Sequence, residues 1–382
     1  MRRAYFDNNA STPLDPVVRE AMLPYLADHF GNPSSGHSFG ERARYGVEEA
    51  RSQVAALLNC APDRIVLGSG GSEANNAAIL SAVMAAPAKK HLIASQVEHA
   101  SVLSPLRFLA HLGYEVELLP VDEQGGLDLG RLAPAIRPDT ALVSLMAANN
   151  ETGVLWDIAA ISAICQQHGV LFHSDAVQAA GKVPLDLAAV PVDYLTVASH
   201  KLHGPKGSGV LYVRRSAPVT PMVMGSGQEN GRRAGTENVA AIVGFGKACD
   251  LAAAHLAMYH RRVAALRDRI EAFVLAEIPE ARVNGQQRPR LANTLNVSFA
   301  GCSSAQLIQD LDDRGFAVSA HSACQSGDLD PSHVLLAMGV PEEYRHGTLR
   351  ISLSRFTAET EVDGLLAALP AAVHRSRQGF VG

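Results

Sequence analysis

VLFHSDAVQ (170–178) and YLTVASHKLHGPKGSGVLYV (194–213) decide the fold. Each opens on a short apolar run and breaks into polar residues just past it, delivering Asp175 in one case and Lys201 in the other. Short unalternating runs of this kind suit strands buried on both faces. The pattern recurs from Ile65 to Val213 as IVLGS, HLIAS, EVELLPV, ALVSLMAAN, VLFHSD, YLTVAS and GVLYVR, mostly separated by helical stretches such as 73–86, 99–112 and 158–168. Strand–helix alternation predicts an α/β unit with a mostly parallel, seven-stranded sheet covered on both faces. Ligands on such sheets gather beyond the carboxyl ends of the strands, where Asp175 and Lys201 fall.

Around that sheet the chain is long enough for a second unit. It has 382 residues, 47% hydrophobic and 19% charged, so a large core is expected and disorder is not. The net charge is −5 and no basic block occurs, which argues against a nucleic-acid partner. The N-terminus, MRRAYFDNNAST, lacks the apolar run of a signal peptide, and no stretch reads as the ~18 apolar residues of a membrane span. The five cysteines, Cys60, Cys165, Cys249, Cys302 and Cys324, are odd in number, widely spaced and without a CxxC pair. They suggest neither a disulfide framework nor a metal site, and a reducing, cytoplasmic setting fits best.

Asp15-Pro16 reads as the cap and first residue of a helix running to about Leu26, and a second helix covers roughly Gly40 to Leu58. After the sheet comes a Gly-rich segment, GSGQENGRRAGTEN (225–238), and then a long helical pattern from Val239 to about Leu275. The remainder, with LANTLNVSF, FAVSA and TLRISLS between helices near 304–314, 331–338 and 358–374, reads as a smaller α+β domain. The expected division is a large domain of residues 15–255 and a small one of 1–14 plus 256–382, the latter carrying a cysteine loop at about 320–331.

Several segments carry chemistry. An acid and an amine at one sheet edge suit a pyridoxal ring: the lysine forms a Schiff base and the acid keeps the ring nitrogen protonated. A surface ion pair is the plainer alternative. GSGGSEANNAAI (68–79) leaves a strand and opens a helix, so the amides at Gly71 and Ser72 suit a phosphate. It is neither a dinucleotide fingerprint nor a Walker loop, and a tight strand–helix turn is the rival reading. His99 follows the strand HLIAS and is placed to stack on a ring or move a proton, if it is not simply a helix-start histidine. Asn150 in AANNETG (147–153) suits a ring hydroxyl or a substrate carboxylate, or merely a turn. Arg350, on the strand pattern TLRISLS, suits a bidentate grip on a carboxylate, although a structural ion pair is the commoner fate. SAHSACQSGDLDPSH (319–333) surrounds Cys324 with Ser, Ala, Gly and Asp, the composition of an exposed loop thiol, with His321 nearby.

Taken together, the chain resembles the NifS/IscS type of cysteine desulfurase, pyridoxal-phosphate enzymes of aminotransferase class V. The resemblance runs nearly end to end through FDNNASTPLDP, FGNPSS, SEANN, VEHASVL, ANNETG, HSDAVQAAGKVP, SHKLHGPKG, GRRAGTEN, PSHVL and RISLSRFT, and looks closest to the NifS branch. It implies the type I fold of pyridoxal-phosphate-dependent transferases. It selects Lys201 over Lys206 as the Schiff-base lysine, pairs Asp175 with the pyridine nitrogen and Gln178 with the ring oxygen, and stacks His99 on the ring. It gives the phosphate to Gly71, Ser72 and His200, with Thr236 reaching in from a second subunit of a homodimer. Asn150 and Arg350 would orient L-cysteine, and Cys324 would receive its sulfur as a persulfide. The acceptor would be an iron–sulfur scaffold protein, in nitrogenase or general cluster assembly, with Cys324 a candidate for a transient iron–sulfur contact.

Two positions depart from the family pattern. The Ser often found three residues before the lysine is Ala198 here, so its phosphate contact is expected either to move to Ser199 or to be lost. The usual SGSAC before the nucleophile reads AHSAC, so His321 is unusual. The alternatives are a selenocysteine lyase, another class V pyridoxal-phosphate enzyme, or a non-catalytic scaffold of the same fold.

Overall fold

A computed structural model describes residues 3–320 and 331–379. Cys324 and His321 lie outside the described residues. The seven expected runs form one sheet, in the order Ile65–Gly68, Gly209–Val213, Tyr194–Ala198, Leu171–Asp175, Thr140–Ser144, His91–Ser95, Glu115–Leu119. All neighbouring pairs are parallel except those made by Gly209–Val213, which runs against both of its neighbours. The strands Tyr194–Ala198, His91–Ser95 and Thr140–Ser144 are buried at every position, as their unalternating sequences require.

Polar residues inside these strands are paired across the sheet. His173 joins Ser144 Oγ at 2.8 Å through Nδ1 and Thr196 Oγ1 at 3.1 Å through Nε2. Burial pushes the His173 ring down to about 4, so it is neutral and serves the sheet rather than the chemistry.

Helices flank the sheet where strand ends and caps place them. Asp15 caps Pro16–Leu26 by accepting from the Val17 amide at 2.7 Å. Asp157 caps Ile158–Gln167 in the same way, and His99 caps Ala100–His111. The short helix Leu129–Ala135, which contains Pro134, has no clear signal in the sequence.

A second core gathers around the antiparallel strands Ala281–Val283, Thr294–Phe299 and Thr348–Ser352 and the helices Ser304–Asp313 and Glu359–Gly379. The chain's start belongs here: Ala4–Tyr5 pairs in parallel with Phe316–Ala317, and Phe6 is fully buried in this core.

The helix Val239–Glu277 joins the two cores. Phe245 and Cys249 pack in the first, and Tyr259, Val263 and Ile270 in the second. This helix corrects the expectation that no stretch is apolar enough for a membrane span: by length and composition it is. Half of its most apolar window is buried inside the fold, and its charges Lys247 and Asp250 pair at 2.7 Å. Its apolar residues are those of a core helix packed on both sides.

Candidate active site

Beyond the carboxyl ends of the parallel strands lies a cavity of about 200 Å³. Among the residues named from sequence, it is lined by Gly71, Ser72, His99, Asn150, Asp175, Gln178, His200, Lys201 and Arg350. Two named residues lie elsewhere. Ser199 is fully buried and does not line the cavity, so the expected transfer of a phosphate contact from Ala198 to Ser199 is corrected. Ala198 and His200 share the cavity side, whereas Ser199 points back into the fold, its Oγ crowding Gly204. The strand ends at Ala198 and Ser199–Lys201 forms a 3₁₀ turn, which puts Ser199 in the fold and His200 on the cavity. Thr236 lines a separate cavity with Ser69 and Arg233.

The floor of the site is the turn from the strand Ile65–Gly68 into the helix Gly71–Ala85. Gly70 takes φ +153°, which L side chains rarely adopt, and no side chain caps the helix start. Gly209 lets this turn sit on the sheet, since a Cβ there would lie 2.6 Å from Gly70 Cα and 2.8 Å from Val197 O.

Asp175 ends its strand 7% exposed, and among the described residues no cation pairs with it. Its Oδ1 accepts from the Val177 amide at 2.9 Å and its Oδ2 from Asn75 Nδ2 at 2.8 Å. Because a carboxylate only accepts, the Asn75 atom facing it is the amide nitrogen. The same nitrogen donates to Ser101 Oγ at 2.8 Å, and Ser101 Oγ meets His99 Nδ1 at 2.7 Å. The Ser101 amide also donates to His99 Nδ1, at 3.1 Å, so Nδ1 is an acceptor and the ring proton sits on Nε2. Burial holds His99 below its usual value despite the nearby Asp175 charge, which keeps it neutral. His200 is pushed down to about 4, mainly by burial and then by Lys201.

Asn75 and Ser101 were not singled out from the sequence. Neither was Asn9, whose backbone oxygen accepts from Lys201 Nζ at 2.5 Å and from Gln178 Nε2 at 3.0 Å. Lys201 Nζ also donates to the Ala10 oxygen at 2.8 Å. The Asn9 side chain donates to the Asn150 oxygen and to Thr294 Oγ1, so the N-terminal segment stitches the two cores together at the site.

Arg350 reaches the cavity from the second core, 1% exposed, with Asp7 Oδ1 at 2.8 Å and the Asn150 oxygen at 3.3 Å. Among the described residues its buried Nε has no hydrogen-bond partner. Glu98, beside His99, is fully buried; it accepts from Ser95 Oγ at 2.7 Å and the Met146 amide at 3.1 Å, and burial pushes its carboxyl up to about 8.

The family model Aminotransferase class-V matches residues 4–365. The chain belongs to the aminotransferase class-V family. It is 48% identical to cysteine desulfurase 2 of Trichormus variabilis, over 98% of this chain and 94% of that protein. It is 45% identical to the cysteine desulfurase NifS of Azotobacter vinelandii, over 99% and 94%. Among solved structures, a NifS-like protein superposes with a TM-score of 0.92 at 35% identity, covering 98% of this chain and all of that one. SspA, solved in complex with cysteine, superposes at 0.82 with 34% identity, covering 93% and 100%. These matches span both cores, so the family assignment covers the sheet, the second core and the cavity between them.

Proposed function

We propose that the protein is a pyridoxal-phosphate-dependent cysteine desulfurase, converting L-cysteine to L-alanine with the sulfur taken up on Cys324. The observation that carries the reading is the convergence of Asp175, Lys201, His99 and Arg350 on one cavity at the strand ends. Full-length similarity to cysteine desulfurases selects this chemistry from others in the family.

The residues present fit the cofactor. Asp175 offers a buried carboxylate with no cation paired to it among the described residues, which suits a protonated pyridine nitrogen. The uncapped helix start at Gly71 and Ser72, with neutral His200 beside it, suits a phosphate. When bound, the cofactor supplies an electron sink that loosens the substrate's Cα–H and Cβ–S bonds.

The chain does the rest. Arg350, which lines the cavity, binds the cysteine carboxylate together with Asn150. Lys201 Nζ, once released from the Asn9 and Ala10 oxygens, takes the α-proton and later returns it. His99 holds a proton on Nε2, available to a leaving or incoming group. The Cys324 thiolate bonds to the substrate sulfur as the Cβ–S bond breaks; the bonding pair stays with carbon and is protonated, giving alanine and a Cys324 persulfide. A sulfur-acceptor protein, an iron–sulfur scaffold in this reading, then takes the terminal sulfur.

The working unit in this reading is a homodimer, with Thr236 completing the partner's phosphate site. Phe30, Phe39, Tyr45 and Met224 support it, being large apolar side chains left 74%, 54%, 70% and 78% exposed in the single chain. A reducing compartment suits a mechanism that depends on a free thiol.

The test is spectroscopic. Purified protein should carry the visible absorbance of bound pyridoxal phosphate, and Lys201→Ala should change that band and abolish alanine formation from cysteine. Wild-type protein that binds no pyridoxal phosphate refutes the reading. Equal sulfur release by Cys324→Ala refutes the persulfide step. Faster turnover of selenocysteine than of cysteine would favour the lyase alternative.

A further inference from the structure

Lys182 is a buried amine that the chemistry above does not use. Residues 176–183 form a helical turn, with the Ala180 amide on the Ala176 oxygen and the Val183 amide on the Ala179 oxygen. Gly181, at φ +68°, breaks the helical sense of this segment, and the turn brings Lys182 back onto Gln178. Lys182 is 4% exposed, and its Nζ meets Gln178 Oε1 at 2.9 Å. Among the described residues it has no carboxylate partner; the charges acting on it are those of Lys201 and Arg350, both cations. Burial, helped by these cations, pushes it down to about 7. An amine placed so unfavourably calls for a reason beyond packing.

The reason lies in what Gln178 faces. Its Nε2 donates to the Asn9 oxygen at 3.0 Å, and the residue lines the catalytic cavity. A charged lysine only donates, so the Gln178 atom against it is the carbonyl oxygen. A backbone oxygen only accepts, so the atom against Asn9 is the nitrogen, and this selects the same orientation when Lys182 is neutral. One N–H of Nε2 is then left over, and the carbonyl oxygen is held on Lys182.

We infer that Lys182 is a positioning residue that locks the Gln178 carboxamide, so that the cavity meets an N–H donor and never a carbonyl oxygen. The ligand feature it serves is an anionic or acceptor oxygen on the bound ring. The inference rests on the pyridoxal-phosphate reading above and adds the group that enforces one of its contacts.

The experiment titrates pyridoxal phosphate into cofactor-stripped full-length protein, following absorbance, for wild type, Lys182→Met, Gln178→Ala, Gln178→Glu and the Lys182→Met/Gln178→Ala double variant. Loss of one hydrogen bond predicts about tenfold weaker binding for Gln178→Ala and several-fold for Lys182→Met. The double variant should bind no worse than Gln178→Ala, because Lys182 then has nothing to hold. Gln178→Glu keeps the Lys182 contact as an ion pair but sets an acceptor against the Asn9 oxygen, so it should bind about tenfold more weakly for want of the donor while cofactor-free protein still folds. Multiplicative losses in the double variant, or wild-type affinity in Gln178→Glu, overturn the inference. If Lys182→Met does not fold, Gln178→Glu decides alone. Wild-type protein that binds no pyridoxal phosphate overturns the underlying reading instead, and the two failures are thereby distinct.

Discussion

Glu98→Gln should make the protein's stability less sensitive to pH between about 5 and 8. In the folded state the Glu98 carboxyl is pushed up to about 8 from its ordinary 4.5, first by burial and then by the Asp175 charge. Between those values the unfolded chain has released the proton and the folded chain still holds it. The folded state therefore binds more protons, and wild-type stability falls as pH rises through this window. At about 1.4 kcal/mol per pKa unit, the full penalty above pH 8 is on the order of 5 kcal/mol, an upper figure for a buried group. Glutamine retains an oxygen for Ser95 Oγ and the Met146 amide and has no charge to lose. Its amide nitrogen takes the place of Oε2, which has no partner among the described residues, at a pH-independent cost of about 1–3 kcal/mol. The informative quantity is thus the difference in melting temperature between variant and wild type at pH 5.5, 7 and 8.5. That difference should move in the variant's favour with rising pH, by more than about 4 °C across the range. A difference independent of pH would mean that Glu98 is not protonated in the fold, and the argument from its burial would fail.

Three further outcomes follow from the geometry. Asp15 and Arg355 are each 8% exposed and pair with one another, so Arg355→Met should cost about 3–5 kcal/mol by leaving Asp15 buried and unpaired, visible as a lowered melting temperature. Ser101→Ala should remove the hydroxyl from His99 Nδ1 while leaving the fold intact, lowering the rate of alanine formation and shifting its pH profile, with the affinity for cysteine nearly unchanged. Gly209→Ala brings a Cβ against the backbone of Gly70 and Val197, so it should weaken pyridoxal-phosphate binding by displacing the turn that opens the helix at Gly71, measured by the same titration as for Gln178.

The strand ends were legible because a buried parallel strand writes an apolar run that stops where the site begins, as at Asp175 and at Ala198 before Lys201. Ser199 was misplaced because the strand stops at Ala198 and a 3₁₀ turn follows, a change of backbone that the local sequence does not announce. Asn75 lay inside the quoted SEANN segment, yet nothing local says that its amide bridges Asp175 and Ser101, residues 100 and 26 positions away. Asn9 was hidden for the same reason: its role comes from a backbone oxygen, which carries no residue-specific signal. The second core was legible as short strands and helices, but its closure by Phe6 and the strand Ala4–Tyr5 is a long-range pairing that no local pattern announces. The apolar character of Val239–Glu277 was passed over because two charges and a helical period disguise it.

The central claim is that this chain moves sulfur from cysteine onto its own Cys324. Protein loaded with pyridoxal phosphate should be mixed with L-cysteine labelled with a heavy sulfur isotope, without reductant, and the trapped thiols mapped by mass spectrometry alongside a count of alanine formed. The account predicts one labelled sulfur on Cys324 for each alanine released in the first turnover, and none in Lys201→Ala. Alanine formed with no label on Cys324, or label on Cys324 in the Lys201→Ala protein, would contradict it.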